Sequence, residues 1–360
     1  MALATMRADF GNDQVPHDQI VGTISPKIQQ LIVLPTEKCN FRCTYCYEDF
    51  KIGKMPEVVQ ASIERFMDRR IPELSHFALH WFGGEPLVAR NIVTRLSSYA
   101  HRLCEEFGIS LSGSITTNAY LLEQSLFREL VSYRQRFFQI TLDGCEEEHN
   151  AVRKLANGRG TFERIWSNLV ATKKVEEEFT IQIRIHARRQ NYMSLKALVR
   201  QLAQEFGRDG RYQLDFQHLR DLGGEGGKSI ENGLSLTELR TLEVELREDY
   251  ASAVNEFHGP PTLSQLTDES DLSGVGSEQP RHVEICYAAK PNSLLIRADG
   301  RIGKCTVALT DDRNTLGSIN PDGTVSIDNR KLRPWIRGLS SLDLGELACP
   351  LVYMAEADLS

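Results

Sequence analysis

The stretch Leu31-Ile32-Val33-Leu34-Pro35-Thr36-Glu37-Lys38-Cys39-Asn40-Phe41-Arg42-Cys43-Thr44-Tyr45-Cys46 sets the reading of the whole chain. Its first four residues form a continuous apolar run, the pattern of a strand buried on both faces. Pro35 ends that run, because it has no N–H to give to a sheet ladder. The cysteines that follow therefore lie on a loop just past a strand's C-terminal end. Three thiols fall within eight residues, with three residues in the first gap and two in the second. Clustered thiolates are soft ligands that suit zinc or an iron–sulfur centre, and the spacing alone leaves both open. Three cysteines on one loop leave one iron of a four-iron cluster without a protein ligand, so a small molecule can bind there.

Outward from this stretch, strand and helix patterns alternate from residue 29 to about 257. Strand patterns cover 31–34, 77–82, 111–116, 137–142, 179–186 and 212–219. Between them Val59, Ile63 and Phe66, and then Ile92, Leu96, Tyr99 and Leu103, recur at helical spacing. Gly108 and Gly207 fall where helix C-caps are expected, Thr161 and Ser235 where N-caps are, and Ser235 with Glu238 spells a capping box. Six strand–helix units in series predict an α/β fold, a partial (β/α)6 TIM-type barrel rather than the full eight. Its reactive groups belong at the C-terminal ends of the strands.

Four segments are expected. Residues 1–28 read as a polar N-terminal arm and 29–257 as the barrel. Residues 258–283, with Gly259-Pro260-Pro261 and many Ser, Asp and Glu, read as a linker or a lid loop. Residues 284–360 read as a small β-rich unit, with one hairpin turning at Asp299-Gly300 and another at Asn320-Pro-Asp-Gly323.

Composition narrows the function. The 360 residues carry a net charge of −7, with 41% hydrophobic and 25% charged side chains, which is ordinary for a soluble globular protein and gives no basic footprint for nucleic acid. No apolar run approaches the ~20 residues that span a bilayer. The first ten residues lack the pattern of a signal peptide, so a cytoplasmic location with reduced thiols is expected. The eight cysteines then read as metal ligands or buried hydrophobes, not disulfides. Cys104 falls in an apolar helical stripe as a structural thiol, and Cys145 in a loop.

Cys39-x3-Cys43-x2-Cys46, with the aromatic Tyr45 before the third cysteine, resembles the radical S-adenosylmethionine (radical SAM) superfamily. Later segments match in order: Gly83-Gly84-Glu85-Pro86 after the second strand, Thr117-Asn118 after the third, Thr141-Leu-Asp-Gly144 with His149 and Arg153 after the fourth, and Arg184-Ile-His186 with Asn191 on the fifth. The resemblance covers roughly 29–220. It implies a [4Fe–4S] cluster on Cys39, Cys43 and Cys46. It also implies S-adenosyl-L-methionine held by Tyr45, Gly83, Gly84, Glu85, Pro86, Thr117 and Asn118, with Thr141, Arg153 and Arg184 toward its carboxylate. Each residue also has a plainer reading: a tight turn for the glycines, packing for Tyr45, a helix cap for Asn118, an ion pair for the arginines. The glycines let a backbone approach closely, and Glu85 can accept from a ligand ammonium. The implied reaction is reductive cleavage of SAM to a 5′-deoxyadenosyl radical, which takes hydrogen from an unactivated carbon. Its electron comes from a donor of the flavodoxin or ferredoxin type.

A second cysteine set lies in the C-terminal unit. Cys286, Gly300 and Cys305 are separated by thirteen and four residues, and the set ends at Cys349. This resembles the opening of SPASM and twitch domains and implies one auxiliary iron–sulfur cluster on Cys286, Cys305 and Cys349. With the barrel motifs, the resemblance is to maturases of ribosomally made peptides. It implies a precursor peptide as substrate and a crosslink, cyclophane or thioether, or a related modification as product. Leader recognition would fall to the barrel rim, the 258–283 loop or a leader-peptide-binding partner. A sulfatase-type protein maturase and a small-molecule radical SAM dehydrogenase are the alternatives within the class. A non-catalytic iron–sulfur or zinc interaction protein is the alternative outside it, and a scaffold has no need of a SAM motif. For acid–base work the strands offer His80, His186, Asp215 and His218, of which His218 is the choice.

Overall fold

The computed structural model describes residues 17–222, 226, 230, 233–260 and 284–354. Residues 261–283 of the expected linker or lid, and 1–16 of the arm, lie outside these. Twelve strands run in chain order: β1 Ile28–Val33, β2 Phe41–Cys43, β3 His76–Trp81, β4 Ser110–Thr117, β5 Gln135–Thr141, β6 Arg153–Leu155, β7 Thr180–Ala187, β8 Tyr212–His218, β9 Ser293–Ile296, β10 Arg301–Gly303, β11 Gly317–Ile319 and β12 Val325–Ile327. Helices Glu57–Arg70, Arg90–Phe107, Gln124–Ser132, Phe162–Thr172, Tyr192–Phe206 and Leu236–His258 separate or follow the six barrel strands.

Those six strands, β1-β3-β4-β5-β7-β8, lie side by side in chain order and are all parallel. Each falls within about three residues of its expected position. Among the described residues no pairing closes β8 onto the opposite edge, as a partial barrel requires. Strand alternation explains the layering. In β7, Ile181, Ile183, Ile185 and Ala187 are buried against the helices, while Gln182, Arg184 and His186 point the other way. The helix-facing core continues through Leu31, Val33, Phe77, Leu79, Ile115, Phe138 and Ile140.

Helix ends follow local rules with one departure. Ser235 and Glu238 form the capping box, and Gly108 closes its helix in the left-handed region at φ +65°. Gly207 ends its helix in an ordinary right-handed conformation. Thr161 precedes its helix, but its hydroxyl caps no backbone N–H. It donates instead to Arg153 O at 2.6 Å, because a buried hydroxyl goes to the nearest unpaired carbonyl.

The C-terminal unit joins the barrel through its sheet. β9 pairs parallel with β1, from Gln30↔Ser293 to Val33↔Ile296, and β10, β11 and β12 continue antiparallel. The two expected hairpins are present, and Gly300 sits at φ +86° in the first turn. Beyond residue 328 the unit is helical rather than β-rich: helices Asn329–Ile336, Gly338–Ser341, Leu344–Ala348 and Pro350–Tyr353 pack Trp335, Leu351 and Met354 into a second small core. Among the described residues, no helix is long and apolar enough to cross a membrane.

Candidate active site

The cysteine loop leaves the C-terminal end of β1 and is clamped from two sides. On one side β2 pairs antiparallel with β6, placing Cys43 opposite Arg153 and Phe41 opposite Leu155. On the other lies the turn after β3. A Cβ on Gly83 would stand 2.3 Å from Thr36 O, and one on Gly84 would stand 2.7 Å from both Glu37 O and Lys38 O. The backbone these glycines approach is therefore the protein's own, just before Cys39. Glu85 N donates to Lys38 O at 3.1 Å and completes the seam.

The Glu85 carboxylate is 1% exposed and accepts three protein donors: Leu87 N at 3.0 Å, Thr117 Oγ1 at 2.7 Å and Asn118 N at 2.6 Å. Burial raises its pKa, and those hydrogen bonds pull the other way. Its observed work is to join the ends of β3 and β4. Asn118 then reaches Asn40 Oδ1 at 2.8 Å and Cys39 Sγ at 3.9 Å through Nδ2. Phe41 N donates to the same sulfur at 3.3 Å. Two N–H donors on one sulfur suit a thiolate that ligates metal. Pro86 does not line the cavity. It opens the 3-10 turn Pro86–Ala89, where its missing N–H is not needed.

Cys39, Cys43 and Cys46 line one cavity of about 310 Å³ with Gly83, Gly84, Glu85, Thr117 and Asn118. A void of this size matches small-molecule sites. Thr141, Arg153, Arg184, His186 and His218 complete the far wall, and Thr306 and Val307 of the C-terminal unit also reach it. Without a cation, burial keeps all three thiols protonated, and the Cys46 thiol is pushed up to about 12.

The far wall holds an ionic cluster that sequence spacing did not single out. Asp143, fully buried in the turn after β5, accepts from His186 Nδ1 at 3.0 Å and from the Tyr45 hydroxyl. Arg153 Nη1 donates to that same hydroxyl at 2.8 Å. Burial would raise the Asp143 pKa, but His186, Arg153 and His149 outweigh it and hold the carboxyl well below its usual range. Asn191 Nδ2 ties Asp143 O and His186 O together, at 3.0 Å each. Tyr45 thus packs by its ring against His186, at 5.3 Å between centroids, and is anchored by its hydroxyl.

Arg184 pairs with Asp215 at 3.0 Å, so the ion-pair reading of this residue is met while it still lines the cavity with Thr141. Among the described residues, three buried polar atoms of the cavity lining have no hydrogen-bond partner: Arg153 Nε, His218 Nδ1 and Glu48 Oε2. Burial, with Glu37 and Asp49 near, pushes the Glu48 acid up to about 8. Buried polar atoms without partners mark a wall built to meet a polar ligand. Burial, then Arg220 and His186, lower the His218 pKa, and its Nδ1 has no hydrogen-bond partner. His80 faces Ser114 and lies outside the cavity lining. Cys104 is 1% exposed in its helix, as a structural thiol, and Cys145 lies by Ser194 O at 3.5 Å.

The second triad surrounds the small C-terminal core, with Cys286, Cys305 and Cys349 packed on it. The thiols lie within electrostatic reach of one another, though burial is the largest cause of the raised pKa at Cys286 and Cys305. Backbone N–H groups of Ala288 and Ala289 aim at the first sulfur and those of Val307 and Ala308 at the second. Tyr47, next to Cys46, donates to Thr306 O at 3.4 Å, and Thr306 follows Cys305. Cys46 and Cys305 are thus linked through the contact of their sequence neighbours Tyr47 and Thr306.

Residues 33–186 match the family model of the Radical SAM superfamily. These residues form a radical SAM domain, and that family uses SAM and a [4Fe–4S] cluster. Among curated relatives, the cysteine-type anaerobic sulfatase-maturating enzyme of Clostridium perfringens is 25% identical over 162 residues, covering 43% of this chain and 44% of that protein. The match thus spans less than half of the relative. The GTP 3′,8-cyclase of Gloeobacter violaceus is 22% identical over 308 residues, covering 79% and 83%. Among solved structures, "native anSMEcpe with bound AdoMet and Cp18Cys peptide" aligns with a TM-score of 0.57 at 20% identity, over 86% of this chain and 80% of that one. Streptococcus suis SuiB bound to precursor peptide SuiA aligns with a TM-score of 0.57 at 17% identity, over 92% and 73%. At these identities the structures show a shared fold.

The residues present fit both cofactors. Three thiols on one loop, N–H donors on Cys39 Sγ and the Arg153 cation opposite Cys43 suit an anionic iron–sulfur cluster. The unpartnered polar atoms of the adjoining wall, the Arg153 Nε donor and the Glu48 Oε2 oxygen among them, suit a zwitterionic ligand beside it.

Proposed function

We propose that this chain is a radical SAM enzyme that abstracts hydrogen from a residue of a ribosomally made precursor peptide and leaves a cyclophane or thioether crosslink or a related modification. One observation carries the reading: the Cys39–Cys43–Cys46 loop, the Gly83–Glu85 turn and the Thr117-Asn118 segment wall a single cavity. When bound together, SAM and the reduced cluster supply a 5′-deoxyadenosyl radical.

The chain's own residues then do the holding. Cys39, Cys43 and Cys46 hold the cluster, and the Gly83-Gly84 seam fixes their loop. Glu85 orders Thr117 and Asn118 along the pocket rim. Arg153, whose Nε has no protein partner, lines the cavity with Thr141 and Arg184 and offers a cation to an anionic group. Cys286, Cys305 and Cys349 would hold one auxiliary iron–sulfur cluster, which would supply an acceptor for the second electron of a crosslink. Among the described residues no strand pairs with the outer edge of β8, and a sheet edge can pair with an extended peptide. Two proteins of this fold are described with peptides bound, which supports a peptide substrate.

The test is anaerobic turnover with short peptides encoded beside the gene, using SAM and dithionite, read by mass spectrometry. A crosslink removes two hydrogens from the peptide, and deuterium from the attacked carbon appears in 5′-deoxyadenosine. A sulfatase-type maturase is the second reading, favoured by the sequence match to that class. Conversion of a cysteine or serine to an aldehyde, rather than a crosslink, would establish it. No deuterium transfer to deoxyadenosine from any encoded peptide contradicts the first reading.

A further inference from the structure

We infer that the Tyr45 hydroxyl and the Asp143 carboxylate are positioning groups for SAM, acting through Arg153. The inference rests on the SAM site proposed above and goes beyond it, because it gives Asp143 and the hydroxyl of Tyr45, as distinct from its ring, a role exerted through Arg153.

The argument begins with Arg153. It is buried and lines the cavity, yet its Nε has no partner. A buried guanidinium normally satisfies its whole fork of donors, since an unpaired one is costly. Here one side of the fork is held and the other left open. The held side is Nη1, which donates to Tyr45 Oη at 2.8 Å. Tyr45 cannot swing to another partner, because its hydroxyl proton goes to Asp143 Oδ2. Asp143 is fixed in turn, with His186 Nδ1 on Oδ1 at 3.0 Å and Asn191 on its main-chain oxygen. The main chain of Arg153 is pinned as well, by pairing with Cys43 and by Thr161 Oγ1 on its carbonyl.

The result is a buried guanidinium in the cavity wall whose Nη1 is fixed by the protein and whose Nε has no protein partner. Such preorganisation favours binding, because the ligand does not have to order the side chain. It also gives a polar reason for a tyrosine at the aromatic position before Cys46. A phenylalanine there would fill the same space but leave Asp143 Oδ2 without its donor and Arg153 Nη1 without its acceptor.

The test is a double-mutant cycle on the anaerobically reconstituted full chain, with SAM itself as the probe. Tyr45→Phe, Arg153→Met and the double variant are compared by equilibrium SAM binding, with iron content and the cluster's EPR signal recorded on each. Tyr45→Phe is expected to retain wild-type iron and to weaken SAM binding by about tenfold, the scale of one charge-assisted hydrogen bond. Deoxyadenosine release at saturating SAM should change far less, so the defect appears in KM. In the Arg153→Met background, Tyr45→Phe should add less than about twofold. Asp143→Asn, which keeps the shape of the side chain, should weaken binding by a similar factor when Arg153 is present.

Equal affinity of Tyr45→Phe and wild type would overturn the inference. So would additive effects in the cycle, since Tyr45 would then act independently of Arg153. If Tyr45→Phe loses its cluster, Asp143→Asn carries the same test. If both lose it, the groups serve the cluster loop rather than SAM, and the inference fails. A wild-type chain that binds no SAM removes the underlying site, which separates that failure from an additive cycle on an active protein.

Discussion

Replacing Arg297 by Met should destabilise the chain far more than the loss of an exposed arginine would. Arg297 follows β9, and Glu37 lies two residues before Cys39. Their side chains are 7% and 2% exposed and meet as a bidentate pair, Nε to Oε1 at 2.8 Å and Nη2 to Oε2 at 2.6 Å. Arg297 Nη1 also donates to Leu309 O at 2.5 Å. Breaking such a pair leaves a buried carboxylate uncompensated, which costs about 3–5 kcal/mol, and the bared carbonyl adds ~1 kcal/mol. Replacing both partners by apolar residues removes the stranded charge. Arg297→Met with Glu37→Leu should therefore recover most of the loss, giving a coupling of about 3 kcal/mol. Urea unfolding reads this through tryptophan fluorescence, since Trp81 reports the barrel and Trp335 the C-terminal core. If Arg297→Met stays within about 1 kcal/mol of wild type, or the double variant is as unstable as the single, the pair does not tie the C-terminal unit to the cysteine loop in the way derived.

Other outcomes follow from the same geometry. Gly84→Ala should displace the loop before Cys39, because the added Cβ meets two backbone oxygens at 2.7 Å; iron bound by the first triad falls while the C-terminal triad keeps its own. Glu85→Gln should cost about 2 kcal/mol, as its amide must present a donor to one of three buried donors, and weaken SAM binding; urea melts and binding isotherms check both. Acid should unfold the chain early. Burial, then Arg153, push the buried His149 down to about 3 from 6.5, against the pull of Asp143, and burial takes His80 to about 4. The unfolded chain takes up these protons first, so the stability they support is present above pH 6.5 and lost as pH falls toward 3. His149→Gln should flatten that slope by up to about 1.4 kcal/mol per pH unit in urea melts.

Much of this was legible from residue order, for a physical reason. A parallel strand must be followed by a crossover, so the alternation of apolar runs and helical periods gave six strands in sequence. Motifs at strand ends then had to meet at one rim. What stayed hidden were contacts between distant residues. The spacing of Asp143, His186 and Tyr45 says nothing of a shared carboxylate, although the Leu-Asp-Gly turn and Asn191 were visible signals. Gly83 and Gly84 read as an approach to a ligand, but the closest backbone is Thr36 to Lys38. Among the histidines, His186 is oriented by Asp143, whereas His218 has no partner for Nδ1. The pairing of β9 with β1 joins residues more than 260 apart and leaves no local trace, so the C-terminal unit read as separate from the sheet it extends.

The central claim is that the Cys39–Cys46 loop seats a cluster that works on SAM. Anaerobic reconstitution, addition of dithionite and SAM, and quantitation of 5′-deoxyadenosine test it most directly. The wild-type chain should release deoxyadenosine, and Cys43→Ala should release none while keeping its fold. No release from wild type, or undiminished release from Cys43→Ala, would contradict the account.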